Sequence, residues 1–435
     1  MTPEGIDTTP QLPKAFLVGI CLDNREYENS QRSLDELEKL AQTAEIEVVE
    51  KFIQNRKTID KATYAGKGFL EEIKAKMDMA NVDLLIFDNE IAPTQARNIM
   101  KLHGIEALDR TEIILDIFHM HAKTKEAMLE VRLAELKYQL PRLKKLWSHL
   151  DRERGASGSA SGASRGMGEK QIEVDRRIIK DEIRLLTHEL DRIMTQKITQ
   201  RKKRENAKKV CLVGYTNAGK SSLFNRITGE NVLVEDKLFA TLDSTARSVE
   251  IDKGDNVVIS DTVGFISNLP HSLIASFRAT LKDVMDADLL LHVVDIADDA
   301  CEEHIKAVNS VLKEIGAEKI PVLLVFNKID LLGEYRVREE IFSDKYEGSS
   351  FISAFTGENT GNLLNSVREK LNQAIRCSFL FPFEEQKILA NMHEISEILS
   401  KDFTDYGVQV TAVISRDNLY KVKDFLIKKS DATKK

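Results

Sequence analysis

The sequence has little of several residue types that mark particular classes of protein. It contains one tryptophan, eight prolines and four cysteines in 435 residues, and the cysteines lie far apart with no metal-ligand spacing. No apolar run approaches the roughly 20 residues of a membrane span. Residues 1–11 lack the basic and apolar segments of an export signal. We therefore expect a cytoplasmic protein without stable membrane insertion, and peripheral contact with a membrane stays open.

Charge is plentiful, but it is unevenly distributed along the chain. Charged residues make up 31% of the sequence and hydrophobic residues 42%, a balance typical of globular proteins, and the net charge is −7. Residues 123–154 nevertheless hold nine Lys or Arg against five Asp or Glu, and residues 169–206 hold eleven against eight. A basic segment inside an acidic chain indicates a local site for a polyanion.

The strongest motif is a glycine-rich loop between a predicted strand and a predicted helix. An apolar run ends at Gly214, and the pattern G-x-x-x-x-G-K-S follows at once and ends at Ser221. Such a loop aims several backbone N–H groups at a phosphate and opens onto a helix N-terminus. We expect Lys220 to reach the β- and γ-phosphates and Ser221 to ligate Mg²⁺. The predicted nucleotide contacts in this loop are Gly214, Asn217, Ala218, Gly219, Lys220, Ser221 and Ser222.

Three further motifs follow in order, each at the end of a predicted strand. The first reads D-x-x-G, which places a carboxylate near Mg²⁺ and a glycine N–H near the γ-phosphate. The second reads N-K-x-D, whose aspartate accepts two hydrogen bonds from guanine that adenine cannot donate. The third is a Ser-Ala pair after the last strand. The set predicts a P-loop GTPase domain in which the nucleotide also contacts Asp261, Gly264, Asn327, Lys328, Asp330, Ser353 and Ala354.

The switch segments leave two questions open. Between Leu238 and Thr245 lie two threonines that can complete the Mg²⁺ shell. Ras-like enzymes orient the attacking water with a glutamine after D-x-x-G, but here Phe265 and Ile266 follow, and neither can hydrogen-bond a water. No catalytic residue is therefore assigned: Lys220 is expected to stabilise phosphate and Gly264 to contact the γ-phosphate. Either another group orients the water, or turnover is slow until a partner reorders the site.

Residues 15–122 alternate predicted strands and helices, a pattern typical of parallel β/α units. Helices are predicted to open at residues 66–68 and at Pro93. Ser33 and Glu36 fit a capping box at the start of the first helix. Strands are predicted over Ala15–Asp23, Ile46–Ile53 and Val82–Asp88, with a fourth inside Ala107–Phe118.

Residues 123–204 predict an antiparallel coiled-coil arm, because leucine and isoleucine recur at alternating steps of three and four. Residues 155–168, rich in Gly and Ser, predict a flexible, non-helical tip, and Pro141 predicts a kink. Two interpretations stay open: a solvated structural arm, or a basic arm whose tip enters structured RNA. In the second, the candidate nucleic-acid contacts are Arg154, Arg165, Arg176 and Arg177.

The predicted fold class is α/β, with five segments along the chain. A tail at residues 1–14 precedes the N-terminal α/β domain at 15–122 and the helical arm at 123–204. The GTPase domain follows at 205–375, and a small C-terminal α+β domain occupies 376–435. We expect a monomer.

Several of these motifs together resemble the HflX family of ribosome-associated GTPases, over roughly residues 16–371. They are Ala65–Gly68, Asp109–Thr111, Leu140–Leu143, Glu173–Arg177, Leu238–Asp243 and Asp261–Ile266. The resemblance implies that Thr241 is the Mg²⁺-ligating switch threonine, with Thr245 as the alternative. Asn217 matches the asparagine that ligates potassium in K⁺-activated relatives, although a turn-stabilising role is an alternative. Met167 departs from the family, which has proline at this place.

The resemblance also implies a function: GTP-regulated binding to the large ribosomal subunit and its RNA, with rescue, splitting or recycling of stalled ribosomes. The alternative is a GTP-gated interaction module for protein or membrane partners, or a ribosome-assembly factor, without splitting activity.

Overall fold

The computed structural model describes residues 12–156, 165–201, 208–230, 238–239, 245–252, 255–268, 270, 273, 281–333, 336–371, 374–383, 385, 388–389, 392, 395–404, 406–415 and 419–430. For residues 24, 143–156, 165–172, 196–201, 251–252, 255, 374–376, 397, 413, 415, 420–421 and 428–430 it describes the backbone alone. The chain divides into two compact units, Met1–Glu358 and Asn359–Lys435. No helix in the described parts is both long enough and apolar enough to cross a membrane.

The first unit begins with a parallel sheet in the order β2-β1-β3-β4. The central strand β1 is apolar almost throughout because helices cover both of its faces. Its strands are β1 Lys14–Cys21, β2 Glu47–Asn55, β3 Leu84–Phe87 and β4 Glu106–Asp109. Its helices are α1 Tyr27–Thr43, α2 Lys67–Ala80, α3 Pro93–His103 and α4 Arg110–His121.

One prediction in this region needs correction, while the fourth strand is confirmed in part. Ser33 and Glu36 lie inside α1, which begins at Tyr27 because the 3-10 turn Asn24–Glu26 leads directly into it, so the predicted capping box is wrong. A capping box occurs instead at α4, where the Asp109 and Glu112 side chains accept each other's backbone N–H groups at 3.1 Å. This cap also ends the fourth strand at Asp109, so most of the segment 107–118 is helical.

A long antiparallel helical hairpin follows, formed by α5 Lys125–Ala156 and α6 Arg165–Arg201. Two ion pairs between the helices show that they run antiparallel: Lys125–Glu189 at 2.5 Å and Arg132–Glu182 at 2.9 Å. Moving along α5 toward its C-terminus, the partner on α6 lies closer to the N-terminus of α6. Helix α5 continues through Pro141.

The non-helical tip is shorter than predicted. Residues 155–156 and 165–168 are helical, and 157–164 lie outside the described residues. A glycine costs a helix only about 1 kcal/mol, which the adjoining turns offset.

The second sheet has the order β10-β9-β8-β5-β7-β6, parallel except for the edge strand β6. The carboxyl ends of its parallel strands therefore meet along one edge, where ligands of open α/β sheets bind. Its strands are β5 Lys208–Gly214, β6 Thr245–Asp252, β7 Asp255–Asp261, β8 Leu289–Asp295, β9 Val322–Asn327 and β10 Ser350–Phe351. Its helices are α7 Lys220–Thr228, α8 Lys282–Met285, α9 Cys301–Glu314 and α10 Val337–Lys345.

The second unit contains helix α11 and an antiparallel sheet in the order β12-β13-β11-β14. Phe379, Phe381 and Val410 are completely buried in its core. These elements are α11 Thr360–Leu371, β11 Ala374–Phe381, β12 Ser396–Thr404, β13 Gly407–Ser415 and β14 Leu426–Ser430. The predicted α/β class is confirmed, with the parallel N-terminal sheet, the helical hairpin and the small C-terminal sheet.

All four cysteines lie within the described residues; they are buried, and none forms a disulfide.

Candidate functional site

The glycine-rich loop between β5 and α7 needs glycine at both ends. Gly214 has φ +153°, and a Cβ there would lie 2.2 Å from the Val293 carbonyl oxygen. Gly219 has φ +89°, and a Cβ there would lie 2.2 Å from the Asn327 side-chain nitrogen. Any larger residue would push the neighbouring strand β8 or the Asn327 side chain away. The loop therefore opens onto the N-terminus of α7 in the arrangement that binds phosphate.

Lys220 is buried at the start of α7, where its Nζ donates to the carbonyl oxygens of Tyr215 at 2.8 Å and Gly214 at 3.2 Å. Burial lowers the pKa of Lys220 to about 8, and the nearby Asp261 carboxylate offsets only part of that effect. A bound phosphate would restore the full positive charge.

A serine hydroxyl and a carboxylate meet beside this lysine. Ser221 Oγ donates to Asp261 Oδ2 at 2.6 Å, which joins the start of α7 to the end of β7. Gly264, three residues after Asp261, packs so closely that a Cβ there would lie 2.8 Å from Thr216 Cα and 2.9 Å from Lys220 Nζ. The structure thus brings the lysine, the serine and both ends of the D-x-x-G motif to one point.

Phe265 and Ile266 point into the protein core, with 2% and 1% of their surface exposed. Backbone bonds hold this segment against the phosphate loop: Thr216 N–H donates to Phe265 O at 2.8 Å, and Phe265 N–H donates to Gly214 O at 3.1 Å. No side chain at these two positions can therefore reach a water beside a γ-phosphate.

Of the first switch segment, the structure describes Leu238 and Phe239, both buried, and then Thr245 at the start of β6. Thr245 lies opposite Asp261 in the β6–β7 pairing. Thr241 lies outside the described residues.

The N-K-x-D segment lies at the end of β9 and contacts the phosphate loop directly. Asn327 Nδ2 donates to Ala218 O at 2.9 Å, and Asn327 Oδ1 accepts the Ala354 N–H at 2.9 Å. This single side chain thus joins the loop to the Ser-Ala pair after β10. Ser353 is buried, and Asp330 is exposed in the 3-10 turn Ile329–Leu331. An exposed carboxylate beside this edge is accessible to the hydrogen-bond donors of a guanine.

Two residues at this end were missed by sequence reasoning. Asp295, the last residue of β8, forms an ion pair with Lys328 at 2.7 Å. Arg226 on α7 donates to the Ala354 carbonyl at 3.1 Å and also to that of Phe355. Asp295 had a detectable signal, because it ends a strand whose neighbours all end in site residues. Arg226 had none, since a helical arginine is usually solvated.

A cavity of about 530 Å³ lies on the α1 side of the phosphate loop, lined by residues of both α/β parts of the first unit. Thr216 Oγ1 and His292 Nδ1 are buried there without a hydrogen-bond partner among the described residues. Burial, and then the charge of Lys220, lower the pKa of His292 to about 3, so its imidazole is neutral. Sequence reasoning did not single out His292, although a histidine interrupts the apolar strand β8.

The four predicted nucleic-acid contacts lie on the hairpin, away from the motifs above. Arg177 is exposed and lies 4.0 Å from Asp181, and Arg176 is half-buried. For Arg154 and Arg165 the structure describes a helical backbone and no side chain. The structure does not bring these arginines together with the nucleotide motifs.

Comparison with known proteins agrees with this geometry. Residues 31–119, 121–204 and 209–328 match family models described respectively as GTP-binding GTPase N-terminal, GTP-binding GTPase Middle Region and 50S ribosome-binding GTPase. The chain is 40% identical over 417 residues to the GTPase HflX of Caldanaerobacter subterraneus subsp. tengcongensis, covering 95% of this chain and 94% of that protein. The chain belongs to the HflX GTPase family. It is 39% identical to the Escherichia coli K12 member over 368 residues, or 84% of this chain and 85% of that one.

Membership of the HflX family agrees with the four sequence motifs. The predicted family is confirmed, and the protein is a P-loop GTP hydrolase that binds guanine nucleotides.

Proposed function

We propose that this GTPase acts on the ribosome: its hairpin binds RNA of the large subunit, and the bound nucleotide controls that contact so that stalled ribosomes are split or recycled. The observation that carries the proposal is the position of the hairpin. Its base contributes Ala127, Val131 and Tyr138 to the same hydrophobic core that buries Phe239 and Phe265 of the switch segments. We therefore expect a change at the switches to alter this shared core and, through it, the packing of a basic arm.

The nature of the partner is supported by sequence and by similarity. The hairpin is net positive in a chain of net charge −7, as a contact with phosphate requires. The family model that matches residues 209–328 is described as a 50S ribosome-binding GTPase. RNA contacts are proposed at Arg154, Arg165, Arg176 and Arg177.

The residues at the phosphate end also fit a magnesium ion. Mg²⁺ prefers hard oxygen ligands, and the Ser221 hydroxyl and the Asp261 carboxylate lie 2.6 Å apart where a nucleotide's phosphates would end. We propose that Ser221 and Thr241 ligate this ion, which would neutralise charge that develops on the phosphates. Potassium at Asn217 is the weaker proposal. Turnover that is unchanged when sodium replaces potassium would return Asn217 to a turn-stabilising role.

Slow hydrolysis by the free protein follows from the burial of Phe265 and Ile266, since no side chain there orients water. Ribosomes should accelerate turnover by supplying or reordering the missing group. The measurement is GTP hydrolysis with and without large subunits. Fast turnover by the isolated protein, unchanged by large subunits, would contradict the proposal.

Sedimentation with large subunits tests the partner. The parent should co-sediment with a non-hydrolysable GTP analogue more than with GDP, and less as salt rises. Arg177→Glu should weaken binding and reduce the salt slope by about 1 or more. Arg192→Glu is a matched control, because Arg192 is also exposed on α6 but lies near the base of the hairpin. Equal binding of the parent and Arg177→Glu would remove that arginine from the proposed interface.

A second candidate function, GTP-gated binding of a protein, is favoured by one feature of α6. Val174, Ile178 and Leu185 are 48%, 57% and 71% exposed, more than an apolar side chain on a purely RNA-binding helix requires. Shortening residues 155–168 to a minimal turn separates the two functions. Loss of ribosome-stimulated turnover would support the RNA contact, and unchanged stimulation and splitting would favour the protein partner.

A further inference from the structure

Arg110, the first residue of α4, is buried between the N-terminal sheet and the second switch segment, residues 264–268, which we call switch II. Its guanidinium donates to Asp88 Oδ1 at 2.8 Å and to the Glu36 carboxylate on α1. It also donates to the carbonyl oxygen of Ser267 at 3.2 Å, three residues after Gly264. One side chain of the N-terminal part therefore contacts the segment that follows the D-x-x-G motif.

Tyr215, the first residue after Gly214 in the phosphate loop, completes the same cluster. Its hydroxyl donates to Glu36 and accepts the Ser267 N–H at 2.6 Å, and Ser267 Oγ lies 2.6 Å away. Its ring stacks on His304 of α9 with centroids 3.8 Å apart. We call Glu36, Arg110, Tyr215 and Ser267 the polar clamp.

The charges of the clamp are mutually dependent. Burial alone would lower the pKa of Arg110, but the Glu36 and Asp88 carboxylates raise it above its usual value. Burial and the Glu36 charge raise the pKa of Tyr215, which stays a hydrogen-bond donor. Removing Arg110 would leave the largely buried Glu36 and Asp88 carboxylates without their ion-pair partner, which is costly. The side chains of the clamp therefore keep this arrangement as long as Ser267 of switch II stays in place.

Apolar contacts beside the clamp also join α4 to a switch segment. Phe118 of α4 meets Phe239 of the first switch segment edge-on, with ring centroids 4.7 Å apart. Both switch segments thus pack against α4, one through an aromatic pair and the other through Arg110.

The neighbouring residue, Asp109, binds the hairpin. Its carboxylate accepts hydrogen bonds from the Tyr138 hydroxyl at 2.8 Å and from Arg142 at 2.6 Å, both on α5. Arg142 also donates to Glu112 at 2.7 Å. Two consecutive residues at the start of α4 therefore contact the arm on one side and switch II on the other.

We propose that Glu36, Arg110 and Tyr215 are positioning residues for switch II, and that Asp109 passes the position of α4 on to the base of the hairpin. If Ser267 moves when the γ-phosphate is bound or lost, Arg110 moves with it and shifts α4. The reason is that the buried contacts of Arg110 are more stable when they keep their geometry than when they lengthen. The inference requires nucleotide binding and does not depend on a ribosome.

Hydrogen exchange of residues 110–138 tests this link, measured without ribosomes and at saturating nucleotide. In the parent, exchange should differ between GDP and a non-hydrolysable GTP analogue. In Glu36→Gln and in Tyr215→Phe that difference should fall below about half of the parent value, because coupling between two sites is lost with the contact that carries it. Tyr346→Phe is the matched control, since Tyr346 lies in the aromatic cluster of α10 and outside the clamp.

Two outcomes would overturn the proposal: the same exchange with both nucleotides in the parent, or a full difference retained in both variants. Thermal unfolding identifies a variant that has lost its fold, and the other variant then decides. Failure of ribosome binding would leave this result untouched, because no ribosome is present in the experiment.

Discussion

The proposed nucleotide site has two ends, a guanine end at the N-K-x-D segment and a phosphate end at the glycine-rich loop, and they are built differently. The guanine end is closed by neighbours from its own sheet and helices, with Asn327, Lys328 and Ala354 held by Ala218, Asp295 and Arg226. The phosphate end shares its residues with the N-terminal part, through Tyr215 and Ser267 in the polar clamp and through the contact of Phe239 with Phe118.

This difference separates two tasks. Recognition of the base needs a rigid site whose geometry is the same in every state of the protein. Switching needs a site whose movement is transmitted to other parts of the protein, and the contacts between the two α/β parts can transmit it. Changes at the two ends should therefore have different consequences.

The largest expected effect is on stability at the phosphate end. Phe118→Ala removes a buried ring and should lower the free energy of unfolding by about 3 to 5 kcal/mol, measured by urea denaturation. Its preference for guanine over adenine nucleotides should stay as in the parent. Phe355→Ala is the control, because Phe355 is 83% exposed and its loss should cost less than about 0.5 kcal/mol. If Phe118→Ala lowered the free energy of unfolding by less than about 0.5 kcal/mol, the Phe118–Phe239 pair would not be a structural link between α4 and the first switch segment.

At the guanine end, Asp330→Asn should weaken GTP binding by about 100-fold or more, because the carboxylate that we propose accepts from guanine is replaced by an amide that also donates. Binding of xanthosine nucleotides should improve, since xanthine has an oxygen where guanine has an amino group. Nucleotide competition measures both. The exchange difference at residues 110–138 should persist with the xanthosine pair. Parent-like GTP affinity would mean that Asp330 does not read the base.

Asp295→Asn should raise the Kd for GTP by about tenfold, because Lys328 loses a hydrogen-bonded carboxylate. Inosine and guanosine triphosphates should be affected alike, since the amino group that distinguishes them faces Asp330 in this assignment. The matched control is Glu302→Gln, which breaks the exposed Glu302–Lys345 pair in the same sheet domain and should change neither Kd. Unequal losses for the two nucleotides would place Asp295 at the base edge itself.

The smallest effect is on pH dependence at the phosphate end. The pKa of Lys220 is about 8 without nucleotide, and bound phosphate raises it, so binding takes up a proton above that pH. Affinity for GDP should fall about threefold between pH 7.5 and 8.5 and stay nearly constant below pH 7. Calorimetry in buffers of different ionisation enthalpy should show proton uptake at pH 8.5. Uptake that is absent would mean that Lys220 is already fully charged in the free protein.

The sequence allowed the nucleotide site to be located because each motif ends a strand, and parallel strands bring their carboxyl ends together. The capping-box prediction for Glu36 came from a local spacing pattern and was wrong, because the partners of Glu36, Arg110 and Tyr215, lie 74 and 179 residues away in the chain. Local patterns carry no signal for such contacts. The sequence singled out Asp109 only as part of a family motif. Its roles as the helix cap of α4 and as the hydrogen-bond partner of Arg142 are visible only in the structure.

The burial of the four native cysteines makes this protein convenient for single-molecule fluorescence. Burial raises the pKa of the Cys211 thiol to about 12 and also raises that of Cys301, which keeps both in the form that reacts slowly with maleimides. A cysteine introduced at exposed Thr187 on α6 and another at exposed Phe355 would therefore take up dyes ahead of the native thiols. Movement of the hairpin relative to the guanine end could then be followed in a chain that keeps every native cysteine.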